Sequence, residues 1–260
     1  MKKTAVLLIQ LGTPDSPKTS DVRRYLGEFL NDPRVIDLPW LARKLLVNGI
    51  IVPFRAPKSA KIYKELWDFG KGHSPLLVHT QKVQEKLKSR LKSSNVDVYM
   101  AMRYQNPSMA DVMEEMRVLH YDHVIVLPLF PQYASASSGS AIERAMKIMS
   151  TWWATPEISI VNQFWDNAGY IDSIVERSKA FNLKDYDHIL FSYHGLPQKH
   201  VDKIYEGDDV CSDAPCETEI NEANSMCYKA TSYATTRLIA SKLGLKEEDY
   251  TVCFQSRLDK

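Results

Sequence analysis

The chain has 260 residues, and its 33 Lys+Arg against 32 Asp+Glu give a formal charge of +1, so whole-chain electrostatics offer no argument for nucleic acid or an anionic surface as partner. Its length supplies ample core for two domains of ordinary size. No apolar stretch reaches the roughly 18 residues of a membrane span, and Met1-Lys2-Lys3 leads into a short apolar run without a small-residue cleavage site, which points to a cytoplasmic protein.

The first strand pattern, Val6 to Leu11, ends in Gln10-Leu11-Gly12-Thr13-Pro14. One glycine falls short of a dinucleotide fingerprint, and no P-loop occurs elsewhere. Helical spacing follows at Ser20 to Leu30. Trp40 to Phe54 then places large apolar residues nearly all round a helix, with Arg43, Lys44, Arg55 and Lys58 at its margins. Such a segment is either a buried core helix or an apolar lip offered to lipid or to a flat hydrophobic ligand. Further helices are predicted over Ser59 to Trp67, Leu76 to Leu91, Met109 to Val118, Ser140 to Trp152, Tyr170 to Ala180 and Ser225 to Leu243. Strands are predicted over Val96 to Met102, Val124 to Phe130, Ile158 to Phe164, His188 to Tyr193 and Tyr250 to Gln255.

Strands alternating with helices specify parallel sheets covered on both faces, an α/β fold. Two doubly wound Rossmann-like domains are expected, with a boundary near Trp152 to Pro156: residues 1–153 as the first, 154–260 as the second. Several strands end in polar groups. Met102-Arg103-Tyr104 closes one, and Phe130-Pro131-Gln132-Tyr133 leads into a serine-rich turn, Ser135 to Ser140, that suits either an anion cradle or ordinary helix caps. Ile189-Leu190-Phe191-Ser192-Tyr193-His194 runs into Gly195-Leu196-Pro197, so His194 sits where a strand stops, and ligands of open α/β sheets bind at that end. A histidine satisfied by a neighbouring carbonyl is the plainer alternative.

Leu11-Gly12-Thr13-Pro14, Pro53-Phe54-Arg55 with Lys58 and Tyr63, Gly72-His73-Ser74-Pro75, Met102-Arg103-Tyr104, Phe130-Pro131-Gln132-Tyr133, Phe191 to Pro197, and Phe254-Gln255-Ser256-Arg257 occur in an order that resembles the ferrochelatases. Those enzymes insert ferrous iron into protoporphyrin IX late in haem biosynthesis. The resemblance covers nearly the whole chain and implies two Rossmann-like domains with a porphyrin cleft between them, in the cytoplasm or peripherally on the inner membrane. It implies His194 as the active-site base or metal-binding group, Leu11 beside the opposite face of the ring, Arg55, Lys58, Arg103 and Ser135 or Ser137 near the propionates, and Tyr63, Tyr104 and Tyr133 as cleft aromatics. It also makes the Trp40 to Phe54 segment the hydrophobic lip. Fe²⁺ is then a substrate of a lyase.

Against the family pattern, a further strand and helix bearing a glutamate opposite the histidine are expected beyond Gln255-Ser256-Arg257, and the chain stops at Lys260. An incomplete second domain and impaired turnover are the corresponding expectations. Cys211, Cys216 and Cys227 lie in an insertion where some bacterial relatives hold a two-iron two-sulfur cluster on four cysteines. Ser232 stands near the place of the fourth, leaving such a site one thiolate short unless Cys253 or an oxygen ligand serves. Zinc, or reduced thiols without a metal, are the alternatives. Two other functions stay open at this point: a porphyrin- or haem-binding protein without catalysis, and a redox sensor built on the cysteines.

Overall fold

A computed structural model describes residues 2–205, 211 and 215–256. Arg257 and Asp259 lie outside the described residues. The chain divides into two compact units: residues 1–130 with 135–162, and residues 131–134 with 163–260.

The first unit is built on four parallel strands, β1 (Thr4–Gly12), β2 (Val96–Tyr104), β3 (His123–Pro128) and β4 (Glu157–Ile160), in the order β2-β1-β3-β4. Central β1 pairs with both β2 and β3, so it is covered on both faces and both edges. That position explains its uninterrupted apolar run, since Ala5 to Ile9 are all buried. The strand expected over Ile158 to Phe164 stops at Ile160, where pairing with β3 ends at Val126↔Ile160.

Helices α1 (Thr19–Leu30), α2 (Trp40–Lys44), α3 (Val52–Phe69), α4 (Pro75–Arg90), α5 (Met109–Val118) and α6 (Ser140–Met149) surround this sheet. One core joins α5 and α6 to one face of the sheet through Met109, Met113, Met116, Ala141 and Met149. The opposite face packs Leu8, Val98 and Met100 against Leu77 and Leu87 of α4. Ser108 and Ser74 accept the amides of Asp111 and Leu77 and so cap α5 and α4, and Pro75 sits harmlessly in the first turn of α4.

In the second unit, β5 (Ile189–His194) pairs in parallel with β6 (Tyr250–Gln255). Its described residues include the α-helices α7 (Ala168–Ser178), α8 (Gln198–Asp202) and α9 (Tyr228–Leu243). Ile189, Phe191 and Tyr193 are half-buried, whereas the alternate residues Leu190, Ser192 and His194 are exposed. Helix α9 buries Thr231, Ser232, Thr235 and Thr236, each hydroxyl donating to the carbonyl four residues back at 2.7 to 3.1 Å. Polar side chains are thereby accommodated in a packed helix without orphaned donors. Gly244, at φ 70°, ends α9 with Leu245 N donating to Ala240 O at 3.0 Å.

Candidate functional site

In the first unit the site starts from Gly12. Its φ is +116°, and a Cβ there would lie 2.0 Å from the Tyr104 carbonyl oxygen, so only glycine lets the end of β1 pass the end of β2. Leu11 just before it is half-buried and packs in one apolar cluster with Tyr63, Tyr104, Ile36, Ile51 and Ala136. Tyr25 meets Tyr63 and Tyr104 edge-on, with centroids 6.0 and 6.5 Å apart. Burial pushes the Tyr63 phenol up, opposed by its hydrogen bond with Tyr25 and by the Arg55 charge, so both rings stay neutral hydrogen-bonding walls at ordinary pH. Thr13 and Ser74 hydroxyls meet at 3.1 Å, bringing Leu11-Gly12-Thr13-Pro14 and Gly72-His73-Ser74-Pro75 together across the unit.

Arg103 and Tyr104 are held from behind by residues that the sequence reading did not single out. Asp32 is buried, and its Oδ2 accepts from Arg103 Nη2 at 2.7 Å, Tyr104 Oη at 2.8 Å and Ser140 Oγ at 2.5 Å. Arg103 Nε also donates to Ser140 Oγ at 2.7 Å, and the guanidinium lies 4.5 Å from the Tyr104 ring centroid. The Arg103 charge is thus engaged inside the protein. Ser135 accepts from Arg34 Nη1 at 2.8 Å on the wide turn Ser135–Gly139 that also carries Ser137, and Arg34 Nε ion-pairs Glu143. Arg55 and Lys58 are exposed on α3, three residues apart. A cavity of about 760 Å³ beside this network is lined by Arg24, Glu28, Lys44, Arg103 and Arg144 among others. Such charged walls suit water and small ions better than a flat apolar ring.

The Trp40 to Phe54 segment is divided by burial. Val47 and Val52 pack inward on α1, while Trp40, Leu41, Leu45, Ile50 and Phe54 are exposed, Phe54 by 73%. The plain core-helix alternative therefore fails for these outward residues, and Lys44, Arg55 and Lys58 lie in the same stretch of chain.

In the second unit His194 is exposed at the end of β5, paired with Gln255, and the next amide, Gly195 N, donates to Gln255 O at 2.6 Å. Tyr228 hydrogen-bonds the His194 backbone. Tyr193 Oη and Thr236 Oγ1 lie 2.9 Å apart, and burial pushes the Tyr193 phenol up to about 12. The histidine is thus held by its main chain while the ring side stays open to solvent. Tyr133 is half-buried in this unit.

The sequence model of the Ferrochelatase family matches residues 3–260. The chain belongs to the ferrochelatase family. It is 42% identical over 258 residues to a ferrochelatase of Legionella pneumophila (strain Corby), covering 99% of this chain and 75% of that protein. It is 40% identical over 260 residues to a ferrochelatase of Coxiella burnetii (strain RSA 493), covering 99% of this chain and 71% of that one. Its parallel α/β architecture agrees with the chelatase-type fold expected from the motifs. No helix among the described residues is long and apolar enough to cross a membrane.

The cysteines form a second feature of the second unit. Sγ atoms of Cys211, Cys216 and Cys227 all lie within 4.8 Å of one another, and all three residues are buried. Cys227 occupies the N-cap position of α9, and the Cys211 amide donates to Asp202 Oδ1 at 2.9 Å. A hydrogen bond from the Cys211 thiol is the main cause that pulls Cys227 down to about 5. Cys211 is pushed up by the same contact, and Cys216 by burial. Cys253, on β6 opposite Ser192, is outside the group. Ser232 spends its hydroxyl hydrogen on Tyr228 O.

Proposed function

We infer that this member of the ferrochelatase family holds protoporphyrin IX by its apolar ring and its carboxylates at Leu11, Tyr63, Arg55 and Lys58, and that His194 accepts the displaced protons. Its activity is that of a ferrochelatase, a lyase of haem biosynthesis with ferrous iron as the metal substrate. The observation that carries the site assignment is the single cluster joining Leu11, Tyr63 and Tyr104 beside exposed Arg55 and Lys58. A flat ring with two acidic arms needs that combination, an apolar wall for the macrocycle and cations for the carboxylates.

Metallation replaces two pyrrole N–H protons by one Fe²⁺, and both protons must leave the ring as the metal enters. An imidazole exposed at a strand end takes such a proton and passes it to water before taking the next. Tyr133, Ser135 and Ser137 supply further polar contacts in this reading. Arg103 acts as a positioning residue: its pairing with Asp32 and Ser140 fixes Tyr104 at the wall. The exposed edge around Trp40 and Phe54 would rest on a membrane surface, its cations facing lipid phosphates, which is the peripheral association in this reading.

Cys211, Cys216 and Cys227 are the residues that would hold a resident metal, and no step of the metallation is routed through them. The test of the main reading is anaerobic conversion of protoporphyrin to metalloporphyrin, followed by absorption. His194→Ala is expected to lower turnover about 10²- to 10⁴-fold while porphyrin still binds. Unchanged turnover in that variant would remove His194 from the chemistry.

A further inference from the structure

We propose that Cys211, Cys216 and Cys227 form a site for one Zn²⁺ ion, with Tyr205 beside its fourth position, which staples the segment after His194 to the start of α9. Geometry separates one ion from a cluster. A tetrahedral zinc with bonds of about 2.3 Å to sulfur spaces its thiolates about 3.8 Å apart. Cys216 and Cys227 Sγ are 3.9 Å apart, and no pair in the trio exceeds 4.8 Å. In a two-iron cluster each iron carries two bridging sulfides and two protein ligands, so the third thiolate must lie across the cluster, beyond the edge of a single tetrahedron. The three sulfurs are gathered about one point instead.

The surroundings suit a structural ion. The trio is buried and packs with Val201, Ala230, Leu196, Ile204 and Tyr205, a largely apolar setting that suits a structural ion. Tyr205 Oη lies 3.1 Å from Cys216 Sγ, so an oxygen stands in contact with the trio. Asn224 Nδ2 approaches the same sulfur at 4.0 Å, a contact that offsets thiolate charge. Binding requires the thiol protons to leave to solvent, with no change of oxidation state. Because Leu196 packs on the cysteines two residues after His194, the ion would fix the turn that presents the imidazole.

The experiment uses the whole chain, stripped with a chelator under reductant and titrated with Zn²⁺ against a chromophoric chelator, with no porphyrin present. One tight Zn²⁺ per chain is expected in the wild type, in His194→Ala and in Cys253→Ser, and none in the triple Cys211→Ser, Cys216→Ser, Cys227→Ser variant. Tyr205→Phe is expected to weaken binding about 10- to 100-fold; an unchanged affinity would remove Tyr205 from the site. As a reading that needs no variant, Co²⁺ loaded on the wild type should show thiolate-to-cobalt charge transfer and the intense visible bands of tetrahedral coordination. Iron and acid-labile sulfide in equal amounts in the anaerobically purified chain, zinc retained by the triple variant, or zinc lost in His194→Ala would each overturn the proposal. Porphyrin metallation is assayed separately, so loss of the chelatase reading leaves this result standing.

Discussion

Asp32 gathers four donors, since Arg34 N reaches its Oδ1 at 2.8 Å while Arg103, Tyr104 and Ser140 converge on Oδ2. Removing that carboxylate leaves a largely buried guanidinium unpaired. Asp32→Ala should cost about 3–5 kcal/mol by chemical denaturation, and Asp32→Asn, which keeps an acceptor, should cost less. Equal losses in the two would show that charge pairing is unimportant there. Glu143 offers a pH test in the same unit. Hydrogen bonds from Lys147 and then Arg34 hold its carboxyl below the ordinary value of 4.5. A depressed folded-state value stabilises the protein above 4.5, and that contribution fades as pH falls through the lower, folded value. The melting temperature should therefore fall in acid below 4.5, and Glu143→Gln should make that fall shallower. The same acid slope in both proteins would count against the assignment.

At the scale of elements, the β1 terminus and the segment Trp40 to Phe69 make opposite predictions. Gly12→Ala forces a Cβ to 2.0 Å from a backbone oxygen in a conformation reserved for glycine, with no flexible group that can yield. A loss of at least about 3 kcal/mol is expected in denaturant unfolding. Phe54 is 73% exposed, so Phe54→Ala should change stability by no more than about 0.5 kcal/mol. It should nevertheless weaken flotation with anionic lipid vesicles. Unaltered flotation would detach the apolar edge from any membrane role. Helix α9 combines a satisfied Ser/Thr face with a cysteine at its N-cap, so its start is where a local ligand could stabilise the second unit.

Across the whole molecule, the two units differ in how well their strands are protected. β1 has five consecutive buried residues inside a four-stranded sheet, whereas no residue of β5 is fully buried in its two-stranded partner. Amide exchange followed by peptide mass should therefore be slow over Thr4–Gly12 and faster over Ile189–His194. Equal protection would show that both sheets open only by global unfolding. Excess Zn²⁺ should slow exchange selectively around Tyr228, since a ligand stabilises the region that closes on it.

Much of the architecture followed from local chemistry. Tyr250–Gln255 and Met109–Val118 were expected to the residue, because an uncharged run between turn signals and a capped amphipathic repeat are local patterns. The motifs likewise sufficed for the family, and for His194 at a strand end. The outward face of the Trp40 segment was legible through the family resemblance and not from periodicity, because an all-round apolar helix looks the same whether buried or bare. Asp32 could not be seen: its side-chain partners lie 71 to 108 residues away, and no spacing rule links an aspartate after one helix to a strand end and a later cap. Cysteine positions in the chain announced a thiolate site, yet ligand spacing along the chain says nothing of the distance between sulfurs. Only the packing of the insertion against α9 brought three of them within one ion's reach.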